Sequence, residues 1–339
     1  MKRALAGAAL ALLAAAGCGG GEPDAEGGRI ALFRTGDSKY ELVTARADGS
    51  DAEELVGEPD GVVPHLFTRP AWSPDGARLA FAGVPAGDDP ALFRADLYVV
   101  DAGGGAPRRL TRTRDAFDPV WSPDGRTIVF TRLRRTSSGR AGSLWAMAAD
   151  GSRPRRLTRP GPTDADAAGS FAPGGSLLAF TRTTCANACF DRRYAIHTIR
   201  LDGSRERLLA DRAREPVFSP DGSRIAYAGE RDRNGELLYG ERTVVAGELY
   251  VAAADGSGPR RLTRTRDLNE ATPAWSPDGA RIAFQRGREI GNGEAMSLYA
   301  LNADGTCERA VLHDPELETW YASPSWRPGR EAGPGRIDC

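Results

Sequence analysis

The sequence has almost no excess of charge of either sign. Its 339 residues include 45 basic and 46 acidic side chains, which gives a formal net charge of -1 at pH 7. The charges are scattered along the chain, which argues against a disordered charged tail. Because a protein without an overall basic field lacks the attraction that nucleic-acid binding requires, we predict no nucleic-acid partner.

Histidine is scarce, and the short motifs of common catalytic sites are missing. The only histidines are His65, His197 and His313, and the sequence contains no phosphate loop, no H-E-x-x-H and no G-x-S-x-G. His65 and His313 stand in predicted loops, and two histidines without a third ligand of defined position do not make a metal site. We therefore predict no metal, no cofactor and no catalytic residue.

The N-terminal apolar run, residues 4–16, is too short to cross a bilayer as a helix. Lys2 and Arg3 precede it, and Cys18 follows it before a Gly/Pro-rich stretch. The segment resembles a bacterial lipoprotein signal, in which the cysteine becomes the lipidated first residue of the mature protein. The resemblance implies a signal peptide over residues 1–17, lipidation at Cys18, a flexible tether over residues 18–28, and export to a membrane surface that faces the periplasm or the cell exterior. The alternative is ordinary secretion with cleavage after the alanine-rich stretch.

Four cysteines remain after Cys18: Cys185, Cys189, Cys307 and Cys339. An even number in an exported chain predicts two disulfides, for which three pairings are possible. The C-x3-C spacing of the first two is weak support for a metal site because no second ligand pair accompanies it.

An aromatic residue followed by a Ser-Pro-Asp-Gly turn recurs along the chain. WSPDG stands at residues 72–76, 121–125 and 275–279, FSPDG at 218–222, and the altered copy FAPGG at 171–175. Each copy is followed by an apolar strand, a variable stretch, a second apolar strand and a short segment of the type RRLT. A period near 50 residues with about four strands per unit is typical of β-propeller blades.

The two ends of the chain complement each other. The first unit begins with RIALF at residues 29–33 and has no aromatic turn before it, whereas SPSWRPG at 323–329 supplies such a strand and has no unit after it. Five complete units and one split unit predict a single all-β domain over residues 29–339. It is a six-bladed propeller with four-stranded blades, and the pairing of its N- and C-terminal strands closes the ring.

Turn chemistry explains the repeated aspartate. Proline presets the first central position of a tight turn, aspartate tolerates the next, and glycine adopts the left-handed backbone conformation. A catalytic carboxylate is not needed in every unit, and the third copy has Gly174 where the others have aspartate. The preceding aromatic residue is predicted to pack between blades.

The repeat resembles the TolB-type, WD-repeat-like propeller family, whose signature is P-x-W-S-P-D-G-x-x-I-A-F followed by a strand that ends in D-A-D-G. The resemblance covers nearly the whole mature chain and implies the fold. TolB itself has an α/β domain ahead of its propeller, and residues 19–28 leave no room for it, so its own role is not expected here. Hydrolase relatives append a further domain that this sequence does not show.

These features favour a monomeric, non-catalytic propeller that binds a protein, peptide or glycan outside the cytoplasm. The alternative is a propeller enzyme, of lyase or hydrolase type, with its site at the central channel. On a rigid scaffold, function concentrates in irregular loops. The turns within strand pairs 1–2 and 3–4 are short and uniform, so the side with the 2–3 and inter-blade loops, here called the variable side, is the predicted binding surface.

The segment RTRD follows RRLT twice, at residues 112–115 and 264–267, in loops predicted to lie three blades apart. We predict that these charges and several residues in neighbouring loops face a shared opening and grip an extended acidic or mixed-charge segment. The candidate residues are Arg114, Asp115, Arg266, Asp267, His65, Phe67, Phe117, Trp320 and Tyr321. The alternative is that each arginine forms a surface ion pair with its own nearby aspartate, which contributes little free energy.

The propeller topology also selects a disulfide pairing. Cys185 and Cys189 share a 2–3 loop on the variable side, whereas Cys307 lies in a 3–4 turn on the opposite side, where the C-terminal tail emerges. We predict the pairs Cys185–Cys189 and Cys307–Cys339, because crossed pairs would have to traverse the disc.

Overall fold

The computed structural model describes residues 28–36, 39–65, 68–89, 94–136, 139–186, 191–230, 236–239, 242–245, 247–265, 268–287, 296–314, 319–329 and 334–339. These residues form 27 β-strands and one turn of 3-10 helix, Glu58–Asp60. No helix in the described ranges is long and apolar enough to traverse a bilayer. The predicted signal peptide and the lipidation site Cys18 lie outside these ranges.

The strands are numbered in chain order. The first eight are β1 (Arg29–Gly36), β2 (Lys39–Arg46), β3 (Glu53–Val56), β4 (Val62–Pro64), β5 (Ala71–Trp72), β6 (Arg78–Pro85), β7 (Asp96–Asp101) and β8 (Arg108–Arg109). The next eight are β9 (Ala116–Trp121), β10 (Thr127–Thr136), β11 (Gly139–Ala148), β12 (Arg155–Arg156), β13 (Ala165–Phe171), β14 (Leu177–Ala186), β15 (Asp191–Arg200) and β16 (Arg207–Asp211). The last eleven are β17 (Ala213–Phe218), β18 (Arg224–Gly229), β19 (Glu236–Tyr239), β20 (Arg242–Val245), β21 (Glu248–Ala253), β22 (Arg260–Arg261), β23 (Asn269–Trp275), β24 (Arg281–Gly287), β25 (Ser297–Asn302), β26 (Arg309–Leu312) and β27 (Trp320–Trp326).

The strands assemble as antiparallel meanders, which gives the all-β propeller fold that the repeat predicts. The meanders β17-β18-β21-β22 and β23-β24-β25-β26 are separate four-stranded sheets, and β4 and β5 together form the inner edge of the sheet that continues through β6, β7 and β8. The meanders β9 to β12 and β13 to β16 join into one eight-stranded sheet through a single parallel pair, Gly142 with Ala165.

The two ends of the chain meet in one sheet. β27 pairs antiparallel with β1, with Ile30 opposite Trp326, and the order of this sheet is β27-β1-β2-β3. The predicted pairing of the N- and C-terminal strands is therefore present. The count of six blades and the closure of the ring stay predictions.

The segment between β18 and β21 contains a small hairpin. β19 pairs with β20 through Glu236 opposite Val245, apart from the larger sheets. The sequences ELLY and RTVV that form these strands are rich in branched and aromatic residues, which favour extended structure.

Neighbouring sheets bury their apolar faces against each other. One cluster joins Val129 and Leu144 of one meander to Leu178 and Phe180 of the next, and all four side chains are almost entirely buried. Four inner-strand tryptophans add a directed contact, because each indole N–H donates to a backbone carbonyl of the preceding sheet. These bonds join Trp72 to Ser325 (3.1 Å), Trp121 to Ala71 (3.1 Å), Trp275 to Val217 (3.1 Å) and Trp326 to Ala274 (3.0 Å).

The Ser-Pro-Asp-Gly segments form the predicted turns. In the first copy the Gly76 N–H donates to the Ser73 carbonyl at 2.8 Å, and Gly76 has a left-handed φ of 66°. The Asp75 carboxylate accepts hydrogen bonds from the Ser73 hydroxyl and from the Ala77 N–H, while the Arg78 N–H donates to the Ser73 hydroxyl. The aspartate thus completes the turn, which is the structural role that its repetition predicts.

The same side of the molecule holds the C-terminal tail. Cys307 forms a disulfide with Cys339, as predicted. The Arg281 side chain donates to three successive carbonyls of residues 334–336, and the Asn302 amide both donates to and accepts from the backbone of Ile337. The side chain of Cys185 and all of Cys189 lie outside the described residues, so the second pair stays a prediction.

The altered third copy offers a test of the turn. In Ala172→Ser/Gly174→Asp, the introduced side chains are expected to make the three hydrogen bonds of the other copies. A side chain at Gly174 has open space, because a Cβ there has no neighbour within 4 Å. We expect the free energy of unfolding to rise by about 1 kcal/mol and the melting temperature by roughly 2–4 °C, measured by thermal denaturation. Asp221→Ala, which removes the carboxylate from a complete turn, should lower the melting temperature. A double variant that melts at or below the wild-type temperature would contradict this account.

Candidate functional site

One buried aspartate organises the first RTRD loop on the variable side. Asp96, at the start of β7, is 1% exposed. Its Oδ1 accepts hydrogen bonds from the Thr111 hydroxyl (2.8 Å) and from the backbone N–H groups of Thr113 (2.9 Å) and Arg114 (3.0 Å), and its Oδ2 accepts from Arg109. A desolvated carboxylate needs such donors, and here they fix the loop in the left-handed conformation of Arg114, whose φ is 55°.

Arg114 and Asp115 of this loop are already in ion pairs. Arg114 contacts Asp88 at 2.6 Å, and both side chains are more than 40% exposed. Asp115 accepts a two-pronged pair of hydrogen bonds from Arg132 on the neighbouring strand, at 3.0 and 2.7 Å. The arginine and the aspartate of the RTRD segment are therefore not paired with each other. Arg266 and Asp267 of the second copy, and Phe67, lie outside the described residues.

Two of the candidate residues are interior residues. His65 is completely buried and meets Phe117 edge-on, with 5.3 Å between the ring centres. Phe117, predicted to lie in a loop, belongs to β9 and is 2% exposed. The loop placement of Phe117 is wrong because the inner strand begins before the position that the WSPDG motif alone suggests.

The aromatic pair Trp320 and Tyr321 also lies in a strand and not in a loop. Both residues begin β27, opposite Thr35 and Arg34 of β1, and both are half-buried. Burial is the largest cause that raises the pKa of the Tyr321 phenol. The pair stands where the closing strand enters the sheet at the variable side, so it keeps part of its surface open there.

The inner strands carry a further set of polar residues that the sequence analysis did not single out. Each lies three positions before the aromatic residue of its turn, within a β-bulge that breaks the strand register. Asp118 and Glu215 have left-handed φ values of 49° and 58°, and Thr272 has 50°. Such conformations cost about 1–3 kcal/mol each for residues other than glycine and concentrate at functional sites. A bulge re-aims a side chain, and here it does so in the first strands of the meanders, which are predicted to surround the channel.

The members of this set are joined across different sheets. Glu215 Oε2 accepts a hydrogen bond from the Thr272 N–H at 2.6 Å, and the Glu215 N–H donates to the Thr181 hydroxyl at 2.8 Å. Asp118 accepts from the backbone N–H of Arg69 and from the Thr131 hydroxyl. We call Arg69, Asp118, Glu215 and Thr272 the channel cluster.

Burial dominates the electrostatics of the channel cluster. It raises the pKa of the Asp118 carboxyl to about 7, because the attraction of Arg69 is smaller than the cost of desolvation and Glu215 adds repulsion. Burial also lowers the pKa of Arg69, against the opposing effect of Glu215 and Asp118. Asp118 lies in β9 and Glu215 in β17, with the meander β13 to β16 between them along the chain, so their common interaction with Arg69 places all three around one space.

The sequence contains a signal for this set. The segments before the aromatic residues read RPAW, DPVW, AGSF, EPVF, TPAW and SPSW. The first letter changes from copy to copy between charged, hydroxyl and small residues, while proline follows it in five of the six copies and an aromatic residue ends all six. A position that varies in chemistry inside a constant structural motif is a candidate for function, and it would have identified the channel cluster.

The described residues contain no group of three or more His, Cys, Asp or Glu side chains placed to hold a metal ion. His197 lies on β15, the third strand of its meander, near Glu206 at 3.4 Å. Burial lowers the pKa of its imidazole, with Arg182 acting in the same direction.

The repeat and its architecture match a known family. The family model for the TolB beta propeller domain matches residues 26–244. The chain belongs to this family. The Tol-Pal system protein TolB of Anaeromyxobacter dehalogenans is 37% identical over 137 residues, which are 40% of this chain and 28% of that relative. The chain thus matches less than a third of the length of this TolB.

Solved structures agree with the family on the fold. A protein provisionally named TolB from Agrobacterium tumefaciens has a TM-score of 0.59 at 18% identity, over 89% of this chain and 99% of that chain. Hydrazine synthase of Kuenenia stuttgartiensis has a TM-score of 0.66 at 13% identity, over 92% of this chain and 48% of that chain. Likeness at such identities shows the propeller fold alone, which occurs in enzymes as well as in other proteins.

Titration of Asp118 tests the electrostatics of the site. We expect its carboxyl carbon, followed by NMR, to titrate with a pKa of about 7. Glu215→Gln removes a repelling charge and should lower this pKa, whereas Arg69→Gln removes an attracting charge and should raise it further.

Because the folded pKa lies above the unfolded one, Asp118 should contribute stability that is complete below about pH 4 and is lost as the pH rises through 7. Asp255→Asn, an exposed turn residue on the opposite side, serves as the control. A wild-type Asp118 that titrates near 4 would contradict the assignment.

Proposed function

We propose that the protein is a non-catalytic, extracytoplasmic binding propeller, anchored as a lipoprotein, that engages a protein, peptide or glycan at its variable side. In this proposal residues 1–17 are a signal peptide, residues 18–28 a tether, and residues 29–339 a monomeric six-bladed ring. The relative from Anaeromyxobacter is named as a component of the Tol-Pal system, which supports a protein partner in particular.

Contacts at the meeting point of the chain ends support a closed ring of six blades. The Trp72 indole donates to the Ser325 carbonyl in β27, and the Trp326 indole donates to the Ala274 carbonyl in β23. The sheet that contains both chain ends thus contacts the sheet of β4 to β8 on one flank and the sheet of β23 to β26 on the other. A closed ring leaves no blade face exposed.

The anchor is proposed from the sequence. The short apolar run with Lys2 and Arg3 before it and Cys18 after it fits a lipoprotein signal. The disulfide between Cys307 and Cys339 supports an oxidising compartment outside the cytoplasm. Stable anchoring through Cys18 would hold the propeller at the membrane surface on a flexible tether.

The difference between the two sides of the propeller is the observation that supports a binding surface on the variable side. On the side of the turns, the Oδ1 atoms of Asp75, Asp124 and Asp278 accept hydrogen bonds within their own turns, and Oδ2 of Asp278 accepts one from the Gly335 N–H of the tail. The variable side instead presents the exposed pair Arg114 and Asp88, supported from below by buried Asp96. A charged pair on a rigid base is available to a partner at little conformational cost.

A propeller enzyme with its site at the channel is the second candidate. One observation favours it, namely the carboxyl of Asp118 with a pKa of about 7, a value suited to general acid–base catalysis. Catalysis also requires a second group free to act. Glu215 is engaged by the Thr272 N–H and by the electrostatic interaction with Arg69, so we prefer binding.

Partner capture from the native envelope tests the proposed function. The wild-type protein, extracted from the membrane fraction, is expected to retain a partner, whereas Cys18→Ser should move the protein to the soluble extracytoplasmic fraction without loss of that partner. Arg114→Ala should weaken binding about fivefold to tenfold with little change in melting temperature, because the side chain is exposed.

Arg126→Ala is the matched control, since Arg126 is an exposed arginine beside a turn on the opposite side. Equal loss of affinity in both arginine variants, or loss only in Arg126→Ala, would place the binding surface elsewhere. A wild-type protein without any retained partner would count against a binding role.

A further inference from the structure

The charges of the channel cluster do not balance. Asp118 and Glu215 supply two carboxylates, whereas Arg69 supplies the one guanidinium with which both interact. Desolvated carboxylates are stable when a cation pairs with them, and one guanidinium shared between two leaves a deficit of one positive charge. Burial raises the pKa of Asp118 to about 7, and the attraction of Arg69, which is offset in part by repulsion from Glu215, does not reverse this shift.

We propose that the channel cluster binds the cationic group of a basic side chain, a guanidinium or an alkylammonium, which the partner inserts from the variable side. This inference rests on the proposed function and specifies the chemistry of the partner. It replaces the acidic or mixed-charge segment that the RTRD sequences suggest, because Arg114, one of the two arginines predicted to grip that segment, is already paired with Asp88.

The cluster lies at a depth that a long side chain reaches. Asp118 is the third residue of β9, which starts at Ala116 on the variable side. With a rise of about 3.3 Å per residue, the carboxylate belongs to a level roughly 7 Å inside the strand. An extended arginine or lysine side chain spans roughly the same distance, so its charged end can meet the cluster while the backbone of the partner stays at the mouth.

Asp118, Glu215 and Thr272 bring acceptor oxygens to the cluster, whereas Arg69 is its donor. Guanidinium and ammonium groups have only donors, and carboxylates and hydroxyls can receive them. Beside Glu215, the hydroxyl oxygen of Thr272 is buried and, within the described part of the chain, has no hydrogen-bond partner. Thr272 therefore offers a third acceptor next to the two carboxylates, at a position where its own N–H already fixes Glu215.

Arg69 limits the site to one cation of low charge. Its guanidinium repels any incoming cation, so a divalent ion would meet both this repulsion and a shortage of ligands, since the described residues include no cluster of three suitable side chains. A monovalent, planar or compact organic cation with several donors fits better.

Calorimetric titration with ethylguanidinium and butylammonium tests the proposal without a known partner. The wild-type protein at pH 7.5 should bind either probe with a millimolar dissociation constant and release a fraction of a proton, because pairing favours ionised Asp118. Asp118→Asn and Glu215→Gln should each weaken binding at least fivefold. Arg69→Gln should tighten it at least threefold, an opposite effect that general damage to the structure would not produce.

Asp255→Asn removes the same charge from an exposed turn on the other side and should leave binding unchanged. Glu215→Gln keeps an oxygen acceptor for the Thr272 N–H, so this variant should fold. It therefore tests the proposal even if Asp118→Asn does not fold. Absence of probe binding, equal binding by the Asp118→Asn/Glu215→Gln double variant, or preferential binding of Ca²⁺ would overturn the proposal. A retained partner whose affinity is unaffected by neutralising its basic residues would overturn this inference and leave the proposed function standing.

Discussion

The contact on which the structure most depends is the bond from an inner-strand tryptophan to the sheet before it. Each sheet is apolar on both faces and gains stability only against a neighbour, but apolar contact alone does not fix how two sheets are aligned. The indole N–H of Trp121 fixes that alignment, because it must reach the Ala71 carbonyl to avoid a buried, unsatisfied donor. Arg78 adds to the same contact by lying 5.0 Å over the Trp121 ring. Where phenylalanine replaces tryptophan, at Phe218, its backbone N–H instead donates to the Ser170 hydroxyl of the preceding meander.

The two sides of the molecule therefore have different roles. On the side of the turns, polar groups stabilise the structure, and on the variable side some remain available to a partner. The aspartate turns and the C-terminal tail use their polar groups within the structure, as Arg281 does with the carbonyls of residues 334–336. The inner strands tolerate bulges because the tryptophan contacts lie below them, next to the turns. The contacts between sheets therefore stabilise the strained backbone conformations of Asp118 and Glu215. The same contacts hold the two carboxylates in place for the proposed ligand.

The sequence predicted the fold in more detail than the site. A constant turn with an aromatic residue before it has one structural solution, so the β-propeller, the pairing of β27 with β1 and the bond between Cys307 and Cys339 follow from the repeat. The site depends on which residues vary within the repeat. The prediction instead placed the binding residues in the loops. Phe117 and Tyr321 lie in strands, while Asp118 and Glu215 were hidden inside the motif that defines the blades. Bulges and charge pairing across sheets arise from tertiary contacts, which local propensity does not encode.

Native-state amide hydrogen exchange of Trp326→Ala tests the central claim that the sheets are stable only as mutually aligned neighbours. The variant removes the indole bond to Ala274 and leaves a cavity between two sheets. We expect a loss of about 3–5 kcal/mol, visible as weaker protection in β1 and β2, in the sheet of β23 to β26, and in the sheet of β6 and β7 on the other flank. Weaker protection confined to β27 and β1, with the flanking sheets exchanging as in the wild-type protein, would contradict the account.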